Sequence, residues 1–313
     1  MSGPDLQIVR DVDQVDVDAI SDLLDAVSAH DGHEALGEHK WLDLVHGGRR
    51  GLVGIVAREP GHPHVVGYAH ISRTGSDQWG LEVVVHPEHR GIGIELMLAR
   101  TALGEVGAAG GGHVHMWVFK PTDIHDGLAH RLGLRRGRDL LQLRRPLDGL
   151  PDPVLPEGIS LRAFRPGVDD DAWLRVNNRA FRHHPEQGAW DADTLRQRIG
   201  EDWFDAAGFL LAVDAGDGLA GFCWTKVHPD DRLGEIYVIG VDPAHEGTGL
   251  GKALVLAGLQ HLAGVGMPEG MLYVDASNKR AVALYERLGF HVDHVDRAYV
   301  TDVAPLGTVP AEG

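Results

Sequence analysis

Residues 236–241 form an apolar, β-branched stretch that predicts a buried strand. Asp242-Pro243 ends it, because proline cannot donate to a ladder and restricts the residue before it. Glycines at 247, 249 and 251 follow, and then apolar residues at Leu250, Leu254, Ala257 and Leu262, close to helical spacing. A second strand is predicted over 271–275, and a helix that closes on Leu288-Gly289-Phe290, where glycine suits a C-terminal cap. Further upstream the pattern predicts strands over 6–10, 52–58, 65–73, 81–85 and 114–119. Helices are expected over 15–29, in a short piece over 39–46, and after Glu95 through Val106.

The pattern repeats. Val85 and Val241, Gly93 and Gly249, and Gly133 and Gly289 each stand 156 residues apart in matching contexts. Landmarks held at one long spacing argue for a duplicated domain rather than a solenoid. Pro146, Pro151, Pro153 and Pro156 make 146–158 a stiff, extended linker. The expected organisation is an N-terminal domain over 1–145, the linker, a C-terminal domain over 159–303 and a tail over 304–313. The fold class is α/β with a mixed α+β sheet in each domain.

Composition narrows the function. A formal charge of −17 disfavours nucleic acid, which needs clustered Lys and Arg. The only cysteine, Cys223, rules out an intramolecular disulfide and fits a reducing cytoplasm. It lies in the strand-like Gly221-Phe-Cys-Trp224 and reads as a buried thiol. No apolar stretch approaches a membrane span, and the N-terminus does not read as a signal peptide. The histidine pairs His62/His64, His113/His115 and His183/His184 lack metal-ligand spacing, so no metal is expected. Expected partners are a small-molecule substrate, with no nucleic acid and no membrane, for a monomeric chain.

The strand, glycine turn and helix start form an array of backbone N–H groups suited to a diphosphate. Gly247-Thr-Gly-Leu-Gly-Lys252 is neither Gly-x-Gly-x-x-Gly nor a P-loop, since Ala253 follows the lysine. The remaining spacing, x-x-Gly-x-Gly after Val-Asp-Pro, resembles the acyl-CoA loop of the GNAT-type N-acetyltransferases. Asn278 and Tyr285-Glu-Arg-Leu-Gly-Phe290 extend that resemblance in the order the family uses. Two departures stand out: Glu246 replaces the usual Arg or Gln, and Glu95 in the earlier copy replaces a small residue.

The GNAT resemblance implies tandem acyl-CoA N-acyltransferase domains and acetyl-CoA as cosubstrate. Ile239, Gly240 and Val241 would face the pantetheine arm, with Gly240 marking a bulge or close approach. Glu246, Gly247, Thr248, Gly249, Leu250, Gly251 and Lys252, with Asn278, Lys279, Arg280, Ala281, Val282 and Ala283, would hold the cofactor. Glu235 would be the base and Tyr285 the acid for the departing thiolate. Taken alone, Glu235 has a plainer account as a strand-end carboxylate and Tyr285 as a half-buried helical aromatic. The 156-residue offset sets Trp79 against Glu235 and Ala129 against Tyr285, so the earlier copy is expected to be catalytically silent. It could still hold a second acetyl-CoA at Val83, Val84 and Val85 and at Arg90, Gly91, Ile92, Gly93, Ile94 and Glu95.

Longer stretches, Arg175-Val-Asn-Asn178, His184-Pro-Glu-Gln-Gly188, Trp224-Thr-Lys-Val-His-Pro229 and Leu233-Gly-Glu-Ile-Tyr-Val238, resemble the mycothiol synthase family. That resemblance implies transfer of acetyl to the cysteine amine of a cysteinyl-glucosaminyl-inositol. It implies substrate contacts at Glu38, Glu186, Lys226, Glu235 and Tyr273. Two other readings stay open: a tandem acetyltransferase for another small amine or a protein N-terminus, and an acyl-CoA sensor that only binds.

Overall fold

The computed structural model describes residues 4–10, 14–46, 52–75, 77–182, 187–188 and 190–307. Compactness divides the chain into two units, Met1–Asp139 with Val295–Gly313, and Leu140–His294. In the first, strands β1 (Asp5–Val9), β2 (Val53–Arg58), β3 (Val65–Arg73), β4 (Gln78–Val85) and β5 (Gly112–Val118) lie side by side in that order. Neighbours are antiparallel except β4 and β5, which are parallel and therefore need a crossover. Helix α3 (Ile94–Ala108) supplies it, after α1 (Gln14–Asp31) and α2 (Glu38–His46); α4 (Asp123–Arg131) follows β5. Beyond β5 the sheet is completed by residues 297–303, the end of the chain's last strand.

The second unit repeats this plan. From its edge inward come β7 (Ser160–Ala163), β8 (Phe209–Val213), β9 (Leu219–His228), β10 (Leu233–Val241) and β11 (Glu269–Asp275). Residues 140–146 of strand β6 (Arg135–Pro146) then run antiparallel to β11. Again one pair, β10 and β11, is parallel, with α7 (Leu250–Gly264) as its crossover. Helices α5 (Asp170–Ala180) and α6 (Ala192–Ile199) precede β8. Helix α8 (Lys279–Arg287) follows β11, and β12 (His291–Val303) is the last strand.

Each face of the second sheet has its own core. On one, α7 and α8 bury Leu254, Leu259, Leu262 and Tyr285 against Cys223, Ile236 and Leu272. α7 approaches closely: a Cβ on Gly258 would stand 2.5 Å from the Cys223 sulfur, so only glycine fits. On the other face the filling is aromatic. Phe209 stacks on Trp224 at 4.3 Å and on Phe164 at 4.2 Å, with Trp173 edge-on at 5.6 Å from Phe209. Such pairs add about 0.5–1.5 kcal/mol each beyond burial. Among the described residues no helix is long and apolar enough to cross a membrane.

Candidate active site

The site begins at the β9–β10 hairpin, whose turn holds Arg232 at φ +53 with its N–H on the Pro229 carbonyl. Glu235 is paired with Lys226 and Leu233 with His228. Residues opposite one another share a face, so Lys226, His228 and Glu235 project together. Glu235 is buried, at 8% exposure, and its Oε2 is 2.8 Å from Nε2 of His228. The Lys226 ammonium lies 4.7 Å from the Trp203 ring centroid and 5.7 Å from that of Tyr237. On β11, Leu272 and Val274 point into the α7 core, so Tyr273 between them points the other way, onto the face of Glu235. The Tyr273 hydroxyl accepts a hydrogen bond from Gln142 Nε2 at 2.7 Å.

Next along β10 comes an extra residue. Ile236 pairs with Thr225 and Val238 with Trp224, so the register shifts by one and Tyr237 is the extra residue of a bulge. Ile236 belongs to the α7 core and Val238 to the aromatic core, so the bulge reverses the alternation. The parallel ladder to β11 ends here, at Ile236 and Leu272; beyond it no pairing joins the two strands among the described residues. The β11-facing backbone of Ile239, Gly240 and Val241 thereby has no ladder partner on β11, which leaves a gap in the ladder. The irregularity sits at Tyr237, whereas the sequence pointed to Gly240. Gly240 is an ordinary ladder position opposite Phe222, and a Cβ there would meet the Phe222 ring at 2.8 Å.

At the end of β10, Gly247 (φ +78) and Gly249 (φ +89) turn the chain into α7, and a Cβ on either would meet nothing within 4 Å. Gly249 is the helix N-cap and no side chain caps the first turn. A concave, open array of N–H groups at a helix start fits a diphosphate. Glu246, the unfavourable departure, is matched by a cation: its Oε2 lies 3.3 Å from Nη1 of Arg280 at the start of α8. The Asn278 side-chain oxygen caps α8 by accepting the Ala281 N–H at 3.1 Å. Lys279, Arg280, Ala281, Val282 and Ala283 make up the first turns of that helix.

Tyr285 sits further along α8, buried, its ring 5.7 Å from Phe290. Burial, reinforced by Cys223, pushes its phenol up to about 12. Burial likewise raises the Cys223 thiol to about 12, which excludes it as a nucleophile. Tyr285 belongs to the α7 face of the sheet and Glu235 to the opposite face. Glu38 opens α2 in the first unit. Glu186 lies outside the described residues.

The acetyltransferase (GNAT) family model matches residues 171–290. The mycothiol acetyltransferase of Streptomyces coelicolor is 48% identical over 288 residues, 91% of each chain. That of Salinispora arenicola is 48% identical over 303 residues, 92% of this chain and 94% of its own. The chain belongs to the mycothiol acetyltransferase family. It is an acetyl-CoA-dependent N-acetyltransferase. Among solved structures, a GCN5-related N-acetyltransferase from Sphaerobacter thermophilus aligns with TM-score 0.72 and 26% identity over 98% of this chain and 99% of that one. A tandem GNAT protein from the clavulanic acid biosynthesis pathway aligns with TM-score 0.73 over 97% of this chain and all of its own. At 20% identity it bears on the fold alone.

For this mycothiol acetyltransferase family member the bulge changes one equivalence between the units. The strand pairing sets Glu235 beside Met271 and Gly80 beside His115, and 115 and 271 are 156 apart. The counterpart of Glu235 is therefore Gly80, one residue on from the expected Trp79, because an inserted residue shifts everything on one side of it. A Cβ at Gly80 would meet the Lys40 ammonium at 2.9 Å. Trp79 is a core residue whose indole donates to the Gly111 carbonyl at 3.1 Å. Ala129, opposite Tyr285 in the offset, is buried.

The first unit's glycine loop is also built differently. Gly91 (φ +76) and Gly93 (φ +99) are open like their counterparts. Glu95, however, accepts the Gly91 N–H at 3.2 Å, so a carboxylate already occupies part of the cradle. Arg90 is committed to Asp31 in a two-pronged pair at 2.9 and 2.7 Å and to the Val85 carbonyl at 3.0 Å. The Arg90 guanidinium holds the Asp31 carboxyl down to about 2. Sequence reading also passed over His228, Trp203 and Tyr237 as site residues. His228 could have been found from hairpin register alone, since it and Glu235 flank one short turn on one face.

Proposed function

We propose that the second unit transfers acetyl from acetyl-CoA to the cysteine amine of a cysteinyl-glucosaminyl-inositol, giving mycothiol in the last step of its biosynthesis. The names of the relatives support the acceptor. The observation that carries the mechanism is the gap between β10 and β11, with a buried carboxylate on one face of the sheet and a buried phenol on the other. Acetyl-CoA supplies an activated thioester carbon. Glu235 takes the ammonium proton, directly or through a water, which frees the nitrogen lone pair. A backbone N–H of residues 239–241 donates to the carbonyl oxygen as charge develops there. Glu246 to Lys252 and the start of α8 hold the diphosphate end.

Tyr285 is loaded with its proton at every working pH, because its phenol sits near 12. An ordinary thiol titrates near ~8.5, so complete transfer to the departing thiolate is uphill by roughly three to four powers of ten. Tyr285 therefore acts first as a hydrogen-bond donor to sulfur, and its proton crosses late. Lys226 and Tyr273, on the face of Glu235, supply donors for the acceptor's hydroxyls; Glu186 joins them by family resemblance. The single cysteine, unpaired and buried, supports a reducing cytoplasm as the location.

The test is release of free CoA thiol from acetyl-CoA with the purified cysteinyl pseudo-disaccharide, beside a panel of cysteine, glucosamine, polyamines and peptide N-termini. The pseudo-disaccharide should give kcat/KM at least about tenfold above any other amine. A faster amine in the panel would overturn the acceptor and favour the broader acetyltransferase reading. No turnover with any amine would favour the sensor.

A further inference from the structure

We infer that His228 is a positioning residue for the Glu235 carboxylate; this deepens the reading above and rests on Glu235 being the base. The two side chains meet diagonally across the β9–β10 hairpin, with Nε2 and Oε2 2.8 Å apart. A carboxylate only accepts, so the proton in this contact belongs to Nε2. The contact therefore fixes the imidazole tautomer and engages Oε2, which leaves Oε1 to receive the substrate's proton. The pair is little exposed, at 17% and 10% of side-chain surface. A donor in such a setting is not readily replaced by water.

Other charged and titratable groups face the pair. Lys226 faces Glu235 from directly across the ladder, its ammonium held over Trp203 and Tyr237. Tyr273 lies on the same face from β11. So does Glu269, the ladder partner of Leu233, which is 3.7 Å from Arg144. Asp230 and Asp231 stand in the exposed turn beyond His228. A glutamate has three rotatable side-chain bonds, and a base that wanders among rotamers is seldom aligned with the amine. Anchoring one oxygen selects one rotamer before substrate arrives.

The variants His228→Phe and His228→Gln, made in the full chain and checked by thermal melting, separate this role from a structural one. His228→Phe removes the donor. It should lower kcat about 10- to 100-fold and leave KM for acetyl-CoA within about twofold, because the cofactor loop is elsewhere. His228→Gln keeps an N–H donor and should recover most of the rate. Wild-type kcat in a folded His228→Phe protein would overturn the inference, as would equal losses in both folded variants. Should His228→Phe fail to fold, His228→Gln alone decides: a rate near wild type supports the inference and a loss beyond tenfold contradicts it. Glu235→Gln is run beside them. If it leaves the rate unchanged, the base assignment has failed; if it abolishes the rate while His228→Phe does not change it, only the positioning role has.

Discussion

The two units share one strand order, one parallel pair and one glycine turn, yet they treat the face beyond that turn in opposite ways. In both the parallel ladder stops at equivalent pairs, Leu81 with Met116 and Ile236 with Leu272. In the second, Trp224 and Val238 meet within an aromatic core, and β10 carries a bulge at Tyr237. In the first, the equivalent ladder pair is His70 and Glu82, both buried, and β4 runs through without a bulge. There Tyr68 is 3.1 Å from His70, Glu82 accepts the Gly37 N–H at 2.7 Å, and Lys40 stands 3.9 Å from Glu82. The first unit thus buries a charge pair, Lys40 and Glu82, on this face. The second buries Glu235 beside His228 and opposite Lys226, at the end of the β10–β11 ladder. The ladder counterpart of Glu235 is Gly80, so the first unit has no side chain at the position where the second has its carboxylate.

The comparison can be broken most severely at Glu235. Glu235→Gln should lower kcat by about 10²–10⁴-fold in a thiol-release assay with acetyl-CoA binding unchanged; a loss under threefold would mean the carboxylate is not the base. Tyr285→Phe comes next, with kcat down about 10- to 100-fold and little change in acetyl-CoA affinity. The same variant has a pH signature. The folded state keeps the phenol protonated up to about 12, from an ordinary value of 10.0. Its stabilising contribution is therefore complete below the unfolded value and is lost as pH rises from 10 through 12. Two units correspond to roughly 3 kcal/mol. Chemical denaturation across that window should show Tyr285→Phe losing less stability than wild type. The smallest effect concerns the first unit: Glu95→Gly removes the carboxylate from the Gly91 N–H and should tighten CoA binding there a few-fold. Equilibrium dialysis reads this as a rise in CoA bound per chain, and an unchanged isotherm would show that Glu95 does not guard that loop.

Most of this plan was legible in the sequence. The 156-residue repeat, the Val-Asp-Pro strand end and the paired glycines are local signals, and the structure has the predicted strand, turn and helix at each. What was hidden depends on pairing. No periodicity tells that 140–146 ladders with β11 while 297–303 ladders with β5, because strand partners are chosen in space. Gly240 reads in the sequence as a bulge or a close approach, and the bulge lies instead at Tyr237, because a glycine is visible in a sequence and a register shift is not. That displacement in turn set Trp79, and not Gly80, against Glu235. The Arg280 partner of Glu246 and the Glu95 contact with Gly91 are side-chain choices that no spacing rule anticipates.

The central claim, that the chemistry belongs to the second unit, is tested most directly by matched substitutions, Gly249→Val and Gly93→Val, with turnover measured at a fixed acetyl-CoA concentration. Both put a β-branched residue at a positive φ in the same turn of their own unit. The account predicts a loss of at least about a hundredfold in Gly249→Val and a rate within about twofold of wild type in Gly93→Val. Equal losses in two folded variants, or the larger loss in Gly93→Val, would contradict it.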